Sequence, residues 1–224
     1  MSMGYTSVPV LVGTLDLVGV FANALLGGAV ARRYGFDPVG FAALAIVSGL
    51  GGGLIRDTLL QQGTPVALTN YLYLTTALIG AAVAFAVRFE GRIWDRSFPL
   101  VDALALGCWA AVGAQKTLSA GLGWLPAILL GTVTAVGGGV IRDVAVGAVP
   151  TIFGGNTLYA TCAVIASATL VAVQHATNPQ LALIVSTAVG ALLCLLARWR
   201  RWILPEQVAW PTPRRLRTRR RKAN

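Results

Sequence analysis

Residues 51–60 of the chain read GGGLIRDTLL, and residues 137–146 read GGGVIRDVAV. Both stretches sit inside apolar runs. Glycine in a helix interior costs about 1 kcal/mol relative to alanine, and three in a row weaken the hydrogen-bond ladder locally. An Arg-Asp pair is expensive in hydrocarbon unless it faces protein or a wet cavity. A chain that does this twice is using these stretches for more than crossing a bilayer.

The surrounding composition is that of a membrane protein. Of 224 residues, 56% are hydrophobic and 12% charged, and the mean hydropathy is +0.71. A soluble domain carries about a quarter charged residues. The apolar runs approach the ~20 residues that span a bilayer as a helix. Seven spans are expected, at 8–30, 39–60, 71–87, 100–118, 124–146, 157–174 and 180–197, with charged or turn-forming stretches between them.

The formal charge of +10 is unevenly placed. Ten of the 18 Lys and Arg lie between Arg198 and Lys222, leaving eight in the body against seven acids. Beside a final span, this tail (198–224) reads as a cytoplasmic anchor on anionic headgroups and not as a nucleic-acid surface. With the N-terminus outside, the inner loops hold Arg32, Arg33, Arg88, Arg92 and Arg96, while the outer loops near 61–69 and 175–179 hold no Lys or Arg. The basic loops thus predict N-out, C-in topology in a cell inner membrane.

Cys108, Cys162 and Cys194 lie in apolar segments without CxxC spacing, and His175 reads as loop. Neither a disulfide framework nor a metal site is expected, and no resident cofactor. No HExxH, Ser-His-Asp or activated-cysteine pattern supports an enzyme.

The two glycine motifs are 86 residues apart, and the offset holds beyond them. Asp16 falls on Asp102, Ser48 on Thr134, Arg56-Asp57 on Arg142-Asp143, Asn70 on Asn156, Tyr73 on Tyr159 and Thr75 on Thr161. Over 46–75 against 132–161, 11 of 30 positions are identical without a gap. Shared apolar composition does not align Asp, Asn, Arg and Tyr in this way, so the chain is an internal duplication. The halves are 8–88 and 97–175, each with three spans, and 180–197 is an unpaired seventh. Three is odd, so the second half enters the membrane inverted relative to the first. The expected fold is an all-α membrane protein of seven transmembrane helices, arranged 3+3+1.

Gly51, Gly52 and Gly53, with Gly137, Gly138 and Gly139, are read as the places where the second and fifth spans bend or open towards each other. Freed carbonyls there could coordinate a cation. The alternative is close packing of helices through small residues. Arg56, Asp57, Arg142 and Asp143 follow one turn later. Neighbours on a helix point about 100° apart, so each is expected to find a partner elsewhere. Asp16 and Asp102 are the candidates for the arginines, as a structural lock or as pore lining. Ser48, Thr134, Tyr73, Tyr159, Thr75 and Thr161 are candidate polar lining. Lys116 aligns with Val30 and breaks the symmetry; it reads as snorkelling to the outer interface, with gating as the alternative.

With these motifs the sequence resembles the prokaryotic trimeric intracellular cation (TRIC) channels. The resemblance covers roughly residues 8–197 and rests on the two GGGxxRD copies, GGGLIRD and GGGVIRD, with the 3+3+1 spans. It implies a homotrimer with one hourglass, potassium-permeable pore per subunit, kinked at the two glycine triplets and flanked by Arg56, Asp57, Arg142 and Asp143. Potassium is then the permeant ion, and bound lipid a possible companion. Animal members carry a fourth-helix lysine tied to lipid and gating, and Lys116 occupies a similar span. The bacterial family has also been associated with glycine transport, so a carrier for glycine or another small zwitterion stands as the alternative.

Overall fold

A computed structural model describes residues 7–88, 91–153, 158–174 and 176–203. Asn156, His175 and the tail from 204 lie outside the described residues. Eight helices are present among the described residues: α1 Ser7–Arg33, α2 Pro38–Leu60, α3 Val66–Thr69, α4 Tyr71–Ala86, α5 Arg92–Ser119, α6 Trp124–Ala145, α7 Tyr159–Gln174 and α8 Pro179–Trp199. Seven of them overlap the expected spans. α3 is a single turn that hydropathy could not signal.

Local chemistry sets several boundaries. Asp37 caps α2 by accepting from the Gly40 N–H at 2.8 Å, with Pro38 in the first helical position. Asn178 and Pro179 repeat the device at α8, where Asn178 accepts from the Leu181 N–H at 2.8 Å. Such side chains satisfy N–H groups that a helix start leaves over, and proline there loses no hydrogen bond. α5 begins at Arg92, well before the expected 100, because the helix continues back through Pro99 into the charged stretch.

Gly13–Arg33, α2, α6 and α8 are long and apolar enough to cross a membrane. α5 is 28 residues long but the least apolar. Its polar residues lie at the ends, with Arg92, Asp95, Arg96 and Asp102 before and Gln115 and Lys116 after the apolar stretch 105–114, which is buried against α1, α6, α7 and α8.

The helices form two like groups. α1, α2 and α4 pack together, as do α5, α6 and α7, while α8 lies on α5 and α7. The groups meet chiefly where α2 crosses α6. A Cβ added to Gly51 would lie 3.2 Å from the Gly138 Cα, and one on Gly137 would lie 3.2 Å from the Gly52 Cα. The two contacts exchange under the 86-residue offset, so α2 and α6 meet about a pseudo-twofold point. A Cβ on Gly52 would collide with the Thr134 carbonyl oxygen, and one on Gly138 with that of Ser48.

The triplets therefore face each other, but the helices do not open there. α2 and α6 each run through their glycines as one continuous helix. The carbonyls stay in the ladder, and the middle glycines serve backbone-to-backbone approach, as small residues do between membrane helices. The third glycines differ: a Cβ on Gly53 or Gly139 would meet only an arginine Nη2, of Arg56 or Arg142, at an ordinary 3.7 Å.

This division gives a test. Gly52→Ala and Gly138→Ala should each destabilise by about 1–3 kcal/mol, since a rigid carbonyl must move. Gly53→Ala and Gly139→Ala should be neutral or slightly stabilising through helix propensity. Thermal unfolding of the purified variants in detergent reads the difference; four equal shifts would contradict it.

Candidate functional site

Each motif arginine pairs with its own neighbour, against the expectation of a distant partner. Arg56 Nε donates to Asp57 Oδ1 at 2.7 Å, and Arg142 donates to Asp143 Oδ1 through Nε at 2.9 Å and Nη2 at 2.7 Å. The 100° argument concerns Cβ directions, and the long arginine side chain folds back across that angle. The other carboxylate oxygen of each aspartate reaches forward into the chain. Asp57 Oδ2 accepts from the Val66 N–H at 3.1 Å, and Asp143 Oδ2 from the Thr151 N–H at 3.2 Å.

The sequence around these acceptors explains a one-residue slip between the copies. Pro65 has no N–H to give, so Val66 donates; in the second half the proline stands one place earlier, at Pro150, and Thr151 donates. The helix ends correspond too. Gln61, with φ 51°, and Gly147, with φ 72°, occupy equivalent left-handed positions that turn the chain back towards the aspartate.

Asp16 and Asp102 do not pair with the motif arginines. Asp16 accepts from Tyr73 Oη at 3.0 Å, and Asp102 from Tyr159 Oη at 2.8 Å, the same bond in both halves. Asp102 also lies within electrostatic reach of Arg198 and Arg142.

The symmetry breaks at Lys116. Its Nζ donates to Asp16 Oδ2 at 2.8 Å, and its side chain is 23% exposed. It neither snorkels freely nor stands unpaired, because the C-terminal end of α5 brings it beside the buried Asp16 of α1. Val30, at the aligned position, has no charge to offer Asp102.

Two cavities border this ion pair. The inner one, about 10 Å³ and so room for roughly one water, is lined by Asp16, Gly53, Arg56, Asp57, Tyr73 and Thr134, with Trp109 beside them. The outer one, about 280 Å³, is lined by Asp57, Val66, Lys116 and Ser119, with residues 60 and 62–64. Both share Asp57 and Val66, while Lys116 lines the outer cavity and holds the Asp16 of the inner one.

The other candidates are dispersed. Thr134 is buried and donates to the Leu130 carbonyl at 2.6 Å. Ser48 is buried with no protein partner for its hydroxyl. Thr75 is exposed and donates back to the Tyr71 and Leu72 carbonyls of its own helix, away from the inner cavity. Thr161 is half-buried on α7. Sequence reasoning missed Trp109, whose Nε1 lies 3.5 Å from the Asp16 carbonyl oxygen and whose ring fills the space opened by Gly19. Nothing in the 86-residue repeat marks it, because its counterpart in the first half is Asn23.

The fold and this join define a class: an all-helical, multi-pass membrane protein of two like halves, with charged residues paired where they meet. The comparisons give the family. A family model described as glycine transporter matches residues 13–88 and again 99–175, once on each half. A UPF0126 membrane protein of Deinococcus radiodurans is 39% identical over 194 residues, covering 84% of this chain and 88% of the relative. The UPF0126 inner membrane protein YadS of Escherichia coli K12 is 34% identical over 156 residues, covering 69% and 75%. Among solved structures, a TRIC cation channel superposes with TM-score 0.81 at 32% identity, covering 89% of this chain and 98% of that one. The TRIC orthologue from Rhodobacter sphaeroides gives 0.79 at 30%, covering 85% and 98%. The chain belongs to the family of that model, which is the family of the TRIC channels.

The buried pairs make a second test. Arg56 is 2% exposed, against 13% for the Arg142 side chain. Removing one partner of a buried pair costs about 3–5 kcal/mol. Asp57→Asn should therefore lower the unfolding temperature more than Asp143→Asn; the reverse order would mean that burial does not set the cost.

Proposed function

We propose that the protein is a potassium-permeable monovalent cation channel, with one pore per subunit running between its two halves. The observation that carries this reading is the join itself, where equivalent helices meet at their glycines beside paired charges and an inner cavity lined by Asp16. The similarity to TRIC cation channels supports it.

In this reading the halves are inverted three-helix repeats, α8 is the seventh span, and α2 and α6 flank the pore, with Gly53 on the inner cavity. The N-terminus is outside and the C-terminus cytoplasmic, with the basic tail on anionic headgroups. Three subunits assemble, as in the trimeric orthologue from Rhodobacter sphaeroides.

The motif aspartates have a clear task in such a fold. α4 and α7 have 16 residues each, a rise of about 24 Å against a hydrocarbon core of ~30 Å. The chain ahead of each helix must complete the crossing, and its N–H groups need acceptors within the protein. Asp57 and Asp143 supply them at Val66 and Thr151.

A second reading, a carrier for glycine or another small zwitterion, is favoured by one observation. Arg56 Nη1 is buried with no protein acceptor, in a cavity that also holds Asp16. A permeant cation does not use such a donor; a carboxylate does.

Single-channel recording of the purified protein in planar bilayers under a potassium gradient separates the two. Unitary steps reversing near the potassium potential are expected. Silent bilayers with saturable glycine uptake into liposomes would replace the channel by the carrier.

A further inference from the structure

We propose that Cys162 of α7 and Cys194 of α8 form a redox-active thiol pair, which a lipid-soluble quinone oxidises to a disulfide that staples α8 to α7. Neither cysteine lines the Asp16 cavity, and the pair stands whichever solute the protein passes.

The two cysteines are 32 residues apart in sequence, and a helical hairpin brings them together. α7 ends at Gln174 and α8 begins at Pro179; packed helices joined by so short a link run antiparallel. Gly190 sets their register. A Cβ added there would lie 2.8 Å from the Ala166 Cβ, so the backbones approach closely at this point. Beside it, Ser186 Oγ donates to the Ala166 carbonyl at 2.6 Å. One turn further along each helix, in opposite directions, stand Cys194 and Cys162. Their thiols meet in a hydrogen bond. Both are free and buried, Cys162 at 0% and Cys194 at 6% exposed. A tight crossing of this kind is what a disulfide's short Cα separation, about 4.4–6.8 Å, requires. Cys108 stands apart, in a different cluster of the core, and its thiol donates to the Leu15 carbonyl at 3.2 Å. The odd count of cysteines thus conceals a pair and a singleton.

The surroundings suit this chemistry. Both sulfurs lie in an apolar cluster, where separated charges are costly and a neutral disulfide is not. Closing the bond breaks two S–H bonds and makes one S–S bond. The two electrons and two protons pass to the quinone, whose carbonyl oxygens become the hydroxyls of a quinol. Burial keeps out a bulky, charged oxidant such as oxidised glutathione. The acceptor instead arrives through the apolar phase, to which α8 presents Leu192 and Leu196 on either side of Cys194.

The place of the bond gives it a consequence. Tyr159, one turn before Cys162, donates to Asp102, and Arg198, one turn after Cys194, is within electrostatic reach of the same carboxylate. A closed disulfide holds the helices that carry both groups in one arrangement. The first half has no counterpart, since Thr76 stands at the position equivalent to Cys162.

Thiol counting on the purified full-length protein in detergent tests this. The reduced protein is treated with duroquinone, whose fully substituted ring leaves no position for thiol addition, then denatured and labelled with a maleimide. Three labels should fall to one, with Cys162 joined to Cys194 by peptide mass, and a reductant should restore all three. Cys194→Ser should keep both of its remaining thiols. Three labels after duroquinone, or a disulfide that includes Cys108, would overturn the pair. Equally fast loss of thiols to oxidised glutathione would overturn the apolar route. The oxidised wild type should also unfold at a higher temperature than the reduced protein, because the cross-link closes a loop in the unfolded chain. An equal or lower midpoint would mean that the bond strains the hairpin, and the staple would fall. The wild-type comparisons need no variant to fold.

Discussion

The structure depends on one contact, the approach of the α2 and α6 backbones at Gly52 and Gly138. Each of these glycines lies against a carbonyl of the opposite helix, at Thr134 and Ser48, where no Cβ fits. Because the two contacts are equivalent under the 86-residue offset, they form one pseudo-twofold point at which both halves register. Every other symmetric feature is placed by it: the Arg-Asp pairs one turn on, the returning strands of backbone at Val66 and Thr151, and the Asp-Tyr bonds of α1 with α4 and α5 with α7.

The symmetry fails at one pair of charges. A duplicated protein with two identical sites would present the same polar surface at both ends. Here the first half has Lys116 from the other half on its aspartate, and an arginine with a spare nitrogen. The second half has neither. The ion pair crosses from α1 to α5, so it joins the halves, and whatever separates Asp16 from Lys116 also loosens that join.

Much of this was legible in the sequence, because duplication makes polar residues speak twice. Asp16, Asp102, Tyr73 and Tyr159 stood out by alignment alone, and they turn out to be partners of each other. What alignment could not supply was the third dimension. It left Arg56 and Arg142 looking for distant carboxylates, since helix geometry fixes Cβ directions but not where a long side chain ends. It could not distinguish a glycine triplet that opens a helix from one that lets two helices touch, because both need the same residue. Trp109 was invisible because its role lies in filling the space of Gly19, a relation between one residue of each half that the repeat does not preserve.

The proposed channel requires that the two halves, which meet at the glycines of α2 and α6, enter the membrane in opposite senses. It is tested most directly by labelling the turns that follow α2 and α6 in intact cells. With Cys108, Cys162 and Cys194 replaced by alanine, a single cysteine at Gln62 or at Val149, both exposed, is offered a membrane-impermeant maleimide. Gln62→Cys should react from outside the cell, and Val149→Cys only after the membrane is opened. Equal labelling of both from the same side would place the halves in parallel and contradict the account.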